Sequence, residues 1–257
     1  MIGPDKIAAL FARGEFHSIA LLWHNAKHAL TESPVRTRVL IAASLAFVAD
    51  PEEALHLAQP LLAATDRSVV CHAELAVGIA LWRDGRVPNA LSSLQKAVRL
   101  SAETNDRVRR AWCHLHLLRF FIDFQPSDSL PSWVGACRRT VYESGSPQTA
   151  AYLHCCVATF EGQRGNLGEA LRHCELAENL LESAPHVWVL AAVERNRGSI
   201  EALRFNFKEA NRHFETVERL TAGSQGAWLA IDGSRAHLAY QAGRFEAAKT
   251  SLTKLIG

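Results

Sequence analysis

Apolar residues along this chain recur at intervals of three and four, and no segment shows sustained apolar–polar alternation. Ala90, Leu94, Ala97 and Val98 form one such stripe; Ala170, Cys174, Ala177, Leu181 and Ala210, Phe214, Val217, Leu220 form two more. Residues at these intervals share one face of a 3.6-residue helix, whereas a half-buried strand needs a period of two. The pattern predicts helices throughout. Pro34, Pro51, Pro88, Pro147 and Pro185 each stand at or just before a predicted first turn, where a missing N–H removes no helical hydrogen bond.

The helices are punctuated by a recurring segment: a turn, an apolar or aromatic residue two places on, and a small residue three further. It reads Gly85-Arg86-Val87-Pro88-Asn89-Ala90, Gly165-Asn166-Leu167-Gly168-Glu169-Ala170, Phe205-Asn206-Phe207-Lys208-Glu209-Ala210 and Gly243-Arg244-Phe245-Glu246-Ala247-Ala248. Gly14-Glu15-Phe16 and Ala49-Asp50-Pro51 fit near the start, and a degraded copy begins at Gln125. Turns near 14, 49, 85, 125, 165, 205 and 243 lie 35 to 40 residues apart. Such a period is the mark of stacked helical hairpins. A small residue at the head of each second helix permits close approach, and Gly78 and Gly198 are expected to do the same on two first helices.

These landmarks resemble tetratricopeptide repeats over essentially the whole chain, best from Cys71 to Ala102, where Gly78, Leu81, Gly85, Ala90, Leu94 and Ala97 hold the family's spacing. The family's unit is shorter than the 40-residue spacing here, and most units lack its terminal proline. The longer helices resemble, more distantly, the sensor solenoids of MalT-type bacterial transcription regulators. The resemblance implies an all-α, right-handed superhelical α-solenoid of about seven hairpins across residues 1–257, with a concave surface formed by the first helices. It also implies a non-catalytic module that binds a protein, a peptide or a small effector, as the sensor or regulatory part of a larger cytoplasmic signalling or transcription-regulator protein. Leu252, Leu255 and Ile256 have no following helix to cover them in this sequence. That predicts a fragment of a longer chain or self-association as a homodimer, and leaves a passive assembly scaffold as the alternative.

Composition narrows the classes. Forty Ala and 32 Leu favour helix, and 48% hydrophobic with 21% charged residues excludes a disordered chain. The longest near-apolar run, Val39 to Ala49, falls well short of the roughly 20 residues a membrane span requires. The net charge is only +2, although 22 of 28 cations are arginine. Arg107, Arg109, Arg110, Arg138 and Arg139 are read as a solvated face near an acidic partner. Without a strongly basic surface or a DNA-binding helix pair, direct nucleic-acid contact is not expected of this segment. The six cysteines sit within apolar helical patterns and read as reduced, buried thiols.

No phosphate loop, HExxH pair or nucleophile elbow occurs. Gly162 to Gly168 lies between two helical patterns and reads as an interhelical turn. Cys71-His72, Cys113-His114, His154-Cys155-Cys156 and His173-Cys174 are sequence neighbours, which on a helix point about 100° apart and cannot chelate together. His24 and His28 share a face but lack a third ligand. No catalytic residue, metal or cofactor is therefore expected. The candidate site is the concave surface, where repeat register aligns Arg36, His72, Trp112 and Tyr152. One turn further come Leu75, Leu115, Cys155 and Arg195, then Ile79, Arg119, Thr159, Ser199 and His237. Arg83 and Asp123 end the same stripes. Arg36, His72, Arg83, Trp112, Arg119, Tyr152, Arg195 and His237 thus predict a groove with an aromatic middle and scattered guanidinium groups. Arginine forks grip carboxylate or phosphate, which suits a peptide or a small anionic effector. The alternative is that Trp112 and Tyr152 only fill space between hairpins. The Lys and Asn pattern by which tetratricopeptide cochaperones clamp a carboxylate is absent.

Overall fold

The computed structural model describes residues 3–48, 50–124, 130–221, 236, 239–240 and 243–256, with side chains as far as Thr250. Twelve helices follow one another up to residue 220: α1 (Pro4–Ala12), α2 (Phe16–Thr31), α3 (Val35–Val48), α4 (Pro51–Ala58), α5 (Arg67–Arg83), α6 (Val87–Ala102), α7 (Arg107–Phe124), α8 (Leu130–Ser144), α9 (Pro147–Gln163), α10 (Leu167–Ser183), α11 (Val187–Leu203) and α12 (Phe207–Leu220). A 3₁₀ turn, Gln59–Ala63, extends α4, and a further helix spans Phe245–Ile256. There is no strand among the described residues. Of the sequence landmarks, Ala49, Gln125 to Ser129 and His237 lie outside the described residues, as do the side chains of Leu252, Leu255 and Ile256.

Consecutive helices pair as antiparallel hairpins, and each odd-numbered helix from α3 onward also packs against the odd-numbered helices on either side. This is an all-α solenoid. One apolar core runs continuously from Ile7 to Ile200, because each hairpin covers its neighbour's flank. Ala90, Ala170 and Ala210 are fully buried at the heads of α6, α10 and α12. Gly78 and Gly198 let the facing helices close in: a Cβ at Gly78 would lie 2.8 Å from the Leu94 side chain, and one at Gly198 2.6 Å from the Phe214 ring.

Turn geometry follows the repeated segment. Gly14, Gly85, Gly165 and Gly243 all have left-handed backbone, and the same conformation is held at the sixth turn by Phe205, with φ of 63°. The closing bond is common to these five turns, with the N–H of Glu15, Arg86, Asn166, Asn206 and Arg244 donating to the carbonyls of Leu10, Leu81, Glu161, Glu201 and Ala239 at 2.8 to 3.0 Å. That is the helix-ending arrangement in which glycine is usual.

The solenoid curls until its first turn meets its eleventh helix. The N–H of Val187 donates to the carbonyl of Arg13 at 2.9 Å. Beside it, buried His186 caps α11, its Nδ1 accepting from the N–H of Val189 at 3.3 Å, and its ring packs directly over Gly14. The inner face is therefore enclosed by α1, α3, α5, α7, α9 and α11 around most of a turn.

Candidate functional site

The inner face is paved by side chains spaced a turn apart on the odd-numbered helices. Leu40, Ala43 and Phe47 come from α3, His72 and Leu75 from α5, Trp112 and His116 from α7, Tyr152 from α9, and Trp188 from α11. Phe11 and Phe16 join from the first hairpin.

Three of these rings meet at the centre. The centroids of Phe47 and Trp188 are 4.7 Å apart, those of Phe47 and His116 5.3 Å, and those of His116 and Trp188 5.8 Å. The trio lines two cavities and divides them. Tyr152 backs it, 4.9 Å from Trp188, 5.3 Å from His116 and 5.4 Å from Trp112. The predicted groove is thus two chambers separated by an aromatic septum.

The first chamber has a volume of about 520 Å³, within the range of small-ligand sites. Its walls are Phe11, Phe16, Leu40, Phe47, His72, Leu75, Trp112, His186 and Trp188, and its polar rim is Asp106, Arg109, Ser144, Ser146 and Gln148. Arg109 is tied down on both sides, pairing with Asp106 at 2.9 Å and donating to the carbonyl of Ser68 at 3.1 Å and to its hydroxyl. Burial holds His116 and His72 as neutral imidazoles, their pKa values pushed down to about 3, with Arg119 and Arg109 respectively adding to the effect. Burial lowers His186 to about 4. Neutral rings stack on tryptophan without bringing charge into the chamber.

The second chamber, about 190 Å³, gathers arginines: Arg83, Arg119 and Arg195 line it with Asp123, Tyr152 and Trp188. Arg119 shares its Nε–H between the two Asp123 carboxylate oxygens at 3.0 and 3.2 Å and donates from Nη1 to the Thr159 hydroxyl at 3.0 Å. Burial opposes its charge, but the aspartate more than offsets that and raises its pKa. Arg83 donates to the Ala46 carbonyl at 2.8 Å, at the C-terminal end of α3. Arg195 makes no hydrogen bond or ion pair among the described residues, and burial together with the Arg119 charge lowers its pKa. Arg119 and Arg195 also line a third, more polar cavity of about 510 Å³ with Thr159, Gln163, Asn196 and Ser199.

Of the residues picked out in the sequence, His72 and Trp112 come together in the first chamber, and Arg83, Arg119, Tyr152 and Arg195 around the second. Arg36 does not join them. It shares the stripe of Leu40, Ala43 and Phe47 but sits one turn earlier, at the rim, where its 82% exposed side chain pairs with Asp66 at 3.0 Å. Tyr152 is 3% exposed, packing between hairpins at the edge of the second chamber, while Trp112 is partly exposed to the first. Sequence register missed Phe47, His116, His186 and Trp188. Phe47, His116 and Trp188 continue stripes that the sequence did mark: His116 is one turn beyond Trp112, Trp188 two turns before Arg195 and Phe47 three turns beyond Arg36.

All six thiols are buried, and Cys71 and Cys113 face each other with their sulfurs 3.8 Å apart. His24 pairs with Glu53 at 3.3 Å, and His154 Nδ1 meets His173 Nδ1 at 2.8 Å. No group of three or more His, Cys, Asp or Glu able to hold a metal occurs among the described residues, and no described helix is long and apolar enough to cross a membrane.

No protein-family model matches the chain, and no curated protein matches its sequence. Solved structures do. The chain is similar to NprR in complex with its cognate peptide NprX, with a TM-score of 0.61 and 14% identity over 98% of this chain and 76% of that one. It is similar to a Rap protein complexed with competence and sporulation factor, with a TM-score of 0.64 and 11% identity over 98% and 74%. It is also similar to the APC/C hetero-tetramer Cut9–Hcn1, with a TM-score of 0.60 and 16% identity over 98% and 45%. At these identities the likeness is one of fold.

Proposed function

We propose that this tetratricopeptide-like solenoid is a non-catalytic regulatory module whose inner face receives an extended peptide segment. The observation that carries the reading is the first chamber: an aromatic-walled cavity of about 520 Å³ with a polar rim. An apolar side chain entering it would bury against Phe11, Phe16, Trp112 and Trp188, each apolar Å² withdrawn from water contributing roughly 25 cal/mol. Asp106, Ser146 and Gln148 on the rim are the polar side chains that a peptide backbone entering the chamber would meet. The solved NprR complex, of the same fold, contains a peptide.

Regulation follows from where the walls come from. Phe11 and Phe16 belong to the first hairpin and His186 and Trp188 to the eleventh helix, so the chamber spans the contact at which the solenoid closes on itself. A ligand touching both sides binds the closed curl better than an opened one, and that difference in affinity shifts the population. The module would pass this change of curvature to a larger signalling protein.

The test is selection of random peptides against the full chain, followed by affinity measurement with Trp112→Ala. Selected peptides should bind the variant at least tenfold more weakly, the loss expected of a central aromatic anchor. Failure to select any peptide, or equal affinity for the variant while it remains folded, would overturn the reading.

A further inference from the structure

The second chamber presents a charge that the fold does not neutralise. Of its three guanidinium groups, Arg119 is matched by Asp123, and Arg83 is bonded to carbonyls at the C-terminal end of α3, where the helix dipole is negative. Arg195 alone has no partner among the described residues, while sharing its wall with Arg119 and with the rings of Tyr152 and Trp188. Burial and the neighbouring Arg119 charge disfavour the Arg195 cation, and Asp123, whose carboxylate is already bonded to Arg119, offsets this only in part. A ligand that supplies the missing anion removes that cost.

We infer that the second chamber is a receptor for a carboxylate carried on an apolar body, with the Arg195 guanidinium as its anchor. The inference rests on the reading of the inner face as a ligand site and deepens it by naming the ligand's polar group. Charge matching favours a carboxylate over a phosphate. One uncompensated cation balances one negative charge, whereas a phosphate near neutral pH brings close to two and would face Asp123 across the same small space. The guanidinium fork matches the two carboxylate oxygens in a plane. The Tyr152 and Trp188 rings meet whatever apolar group carries the acid.

The experiment uses the full chain and three probes: 3-phenylpropionate, 3-phenylpropanamide and inorganic phosphate, followed by calorimetry and by tryptophan fluorescence. The acid should bind the wild type and bind Arg195→Met at least tenfold more weakly; the amide should bind the wild type at least tenfold more weakly than the acid does. Arg195→Met should melt no lower than the wild type, since it removes an unpaired charge, and Arg195→Lys should retain an intermediate affinity. Absence of acid binding, an amide that binds as well as the acid, phosphate binding tighter than the acid, or an Arg195→Met chain that is folded and binds undiminished would each overturn the inference. The acid–amide comparison on the wild type stands even where a variant fails to fold. If selected peptides depend on Trp112 while the acid does not bind, the peptide module stands and the carboxylate receptor falls. Acid binding that depends on Arg195 without any selected peptide leaves the receptor and removes the peptide.

Discussion

At the scale of single residues, Gly14 shows how one position answers to two demands. Its left-handed φ of +67° belongs to the repeat turn, and Gly85, at +76°, has the same requirement. The two differ in surroundings: a Cβ at Gly85 would meet open space, whereas one at Gly14 would collide with the His186 ring. Gly85→Ala should therefore cost only the backbone penalty, about 1–2 kcal/mol. Gly14→Ala should cost more, because His186 must also leave its seat at the α11 N-terminus. Urea unfolding of both variants measures the difference, and equal losses would mean that the closure contact contributes nothing. The turn glycine was legible in the sequence. Its second role was not, since His186 is 172 residues away and only the curl of the chain joins them.

At the scale of elements, the turn between α11 and α12 departs from its siblings. Phe205 takes the conformation that glycine holds at four other repeat turns, and the residue is 69% exposed, with its ring edge-on to that of Phe207 and the centroids 6.0 Å apart. A non-glycine residue there bears a strain of about 1–2 kcal/mol, partly offset by the smaller chain entropy it loses on folding. Phe205→Gly should accordingly stabilise the protein by about 0.5–1 kcal/mol, read as a higher urea midpoint. A lower midpoint would show that the Phe205–Phe207 contact outweighs the backbone strain. The repeat segment identified this turn despite the missing glycine, because the apolar residue at 207 and Ala210 keep their spacing. Element positions were legible here since a hairpin's pattern is local. Arg36 illustrates the limit: its stripe was right, but the first turn of α3 stands at the rim, and Asp66 on the next hairpin takes its charge.

At the scale of the molecule, the curl buries imidazoles that the unfolded chain exposes. His116 is 3% exposed and His186 6%, with pKa values lowered by burial to about 3 and about 4 against about 6.5 in an unfolded chain. Between those values the unfolded state binds protons that the folded state does not, so stability is full above about pH 6.5 and declines as pH falls toward 3–4. Each such histidine contributes up to about 1.4 kcal/mol per pH unit in that window. Urea midpoints at pH 7 and pH 5 should show the decline, and His116→Phe, which keeps a ring in the septum, should flatten it. An unchanged pH slope in that variant would contradict the neutral buried imidazole.

The sequence by itself determined that this chain is helical, that its helices pair at turns 35 to 40 residues apart, and which stripes face inward. Those properties depend on periodicity and on small residues at fixed offsets, and both are local. Tertiary structure decided how tightly the hairpins curl, because curvature is the sum of small rotations at successive interfaces and no single interface reveals it. That sum brings Arg13 to Val187 and sets Phe47, His116 and Trp188 against one another from three different helices. It turns one anticipated groove into an aromatic chamber and an arginine chamber. It also leaves Arg195, of the three inward-facing arginines, without a partner among the described residues.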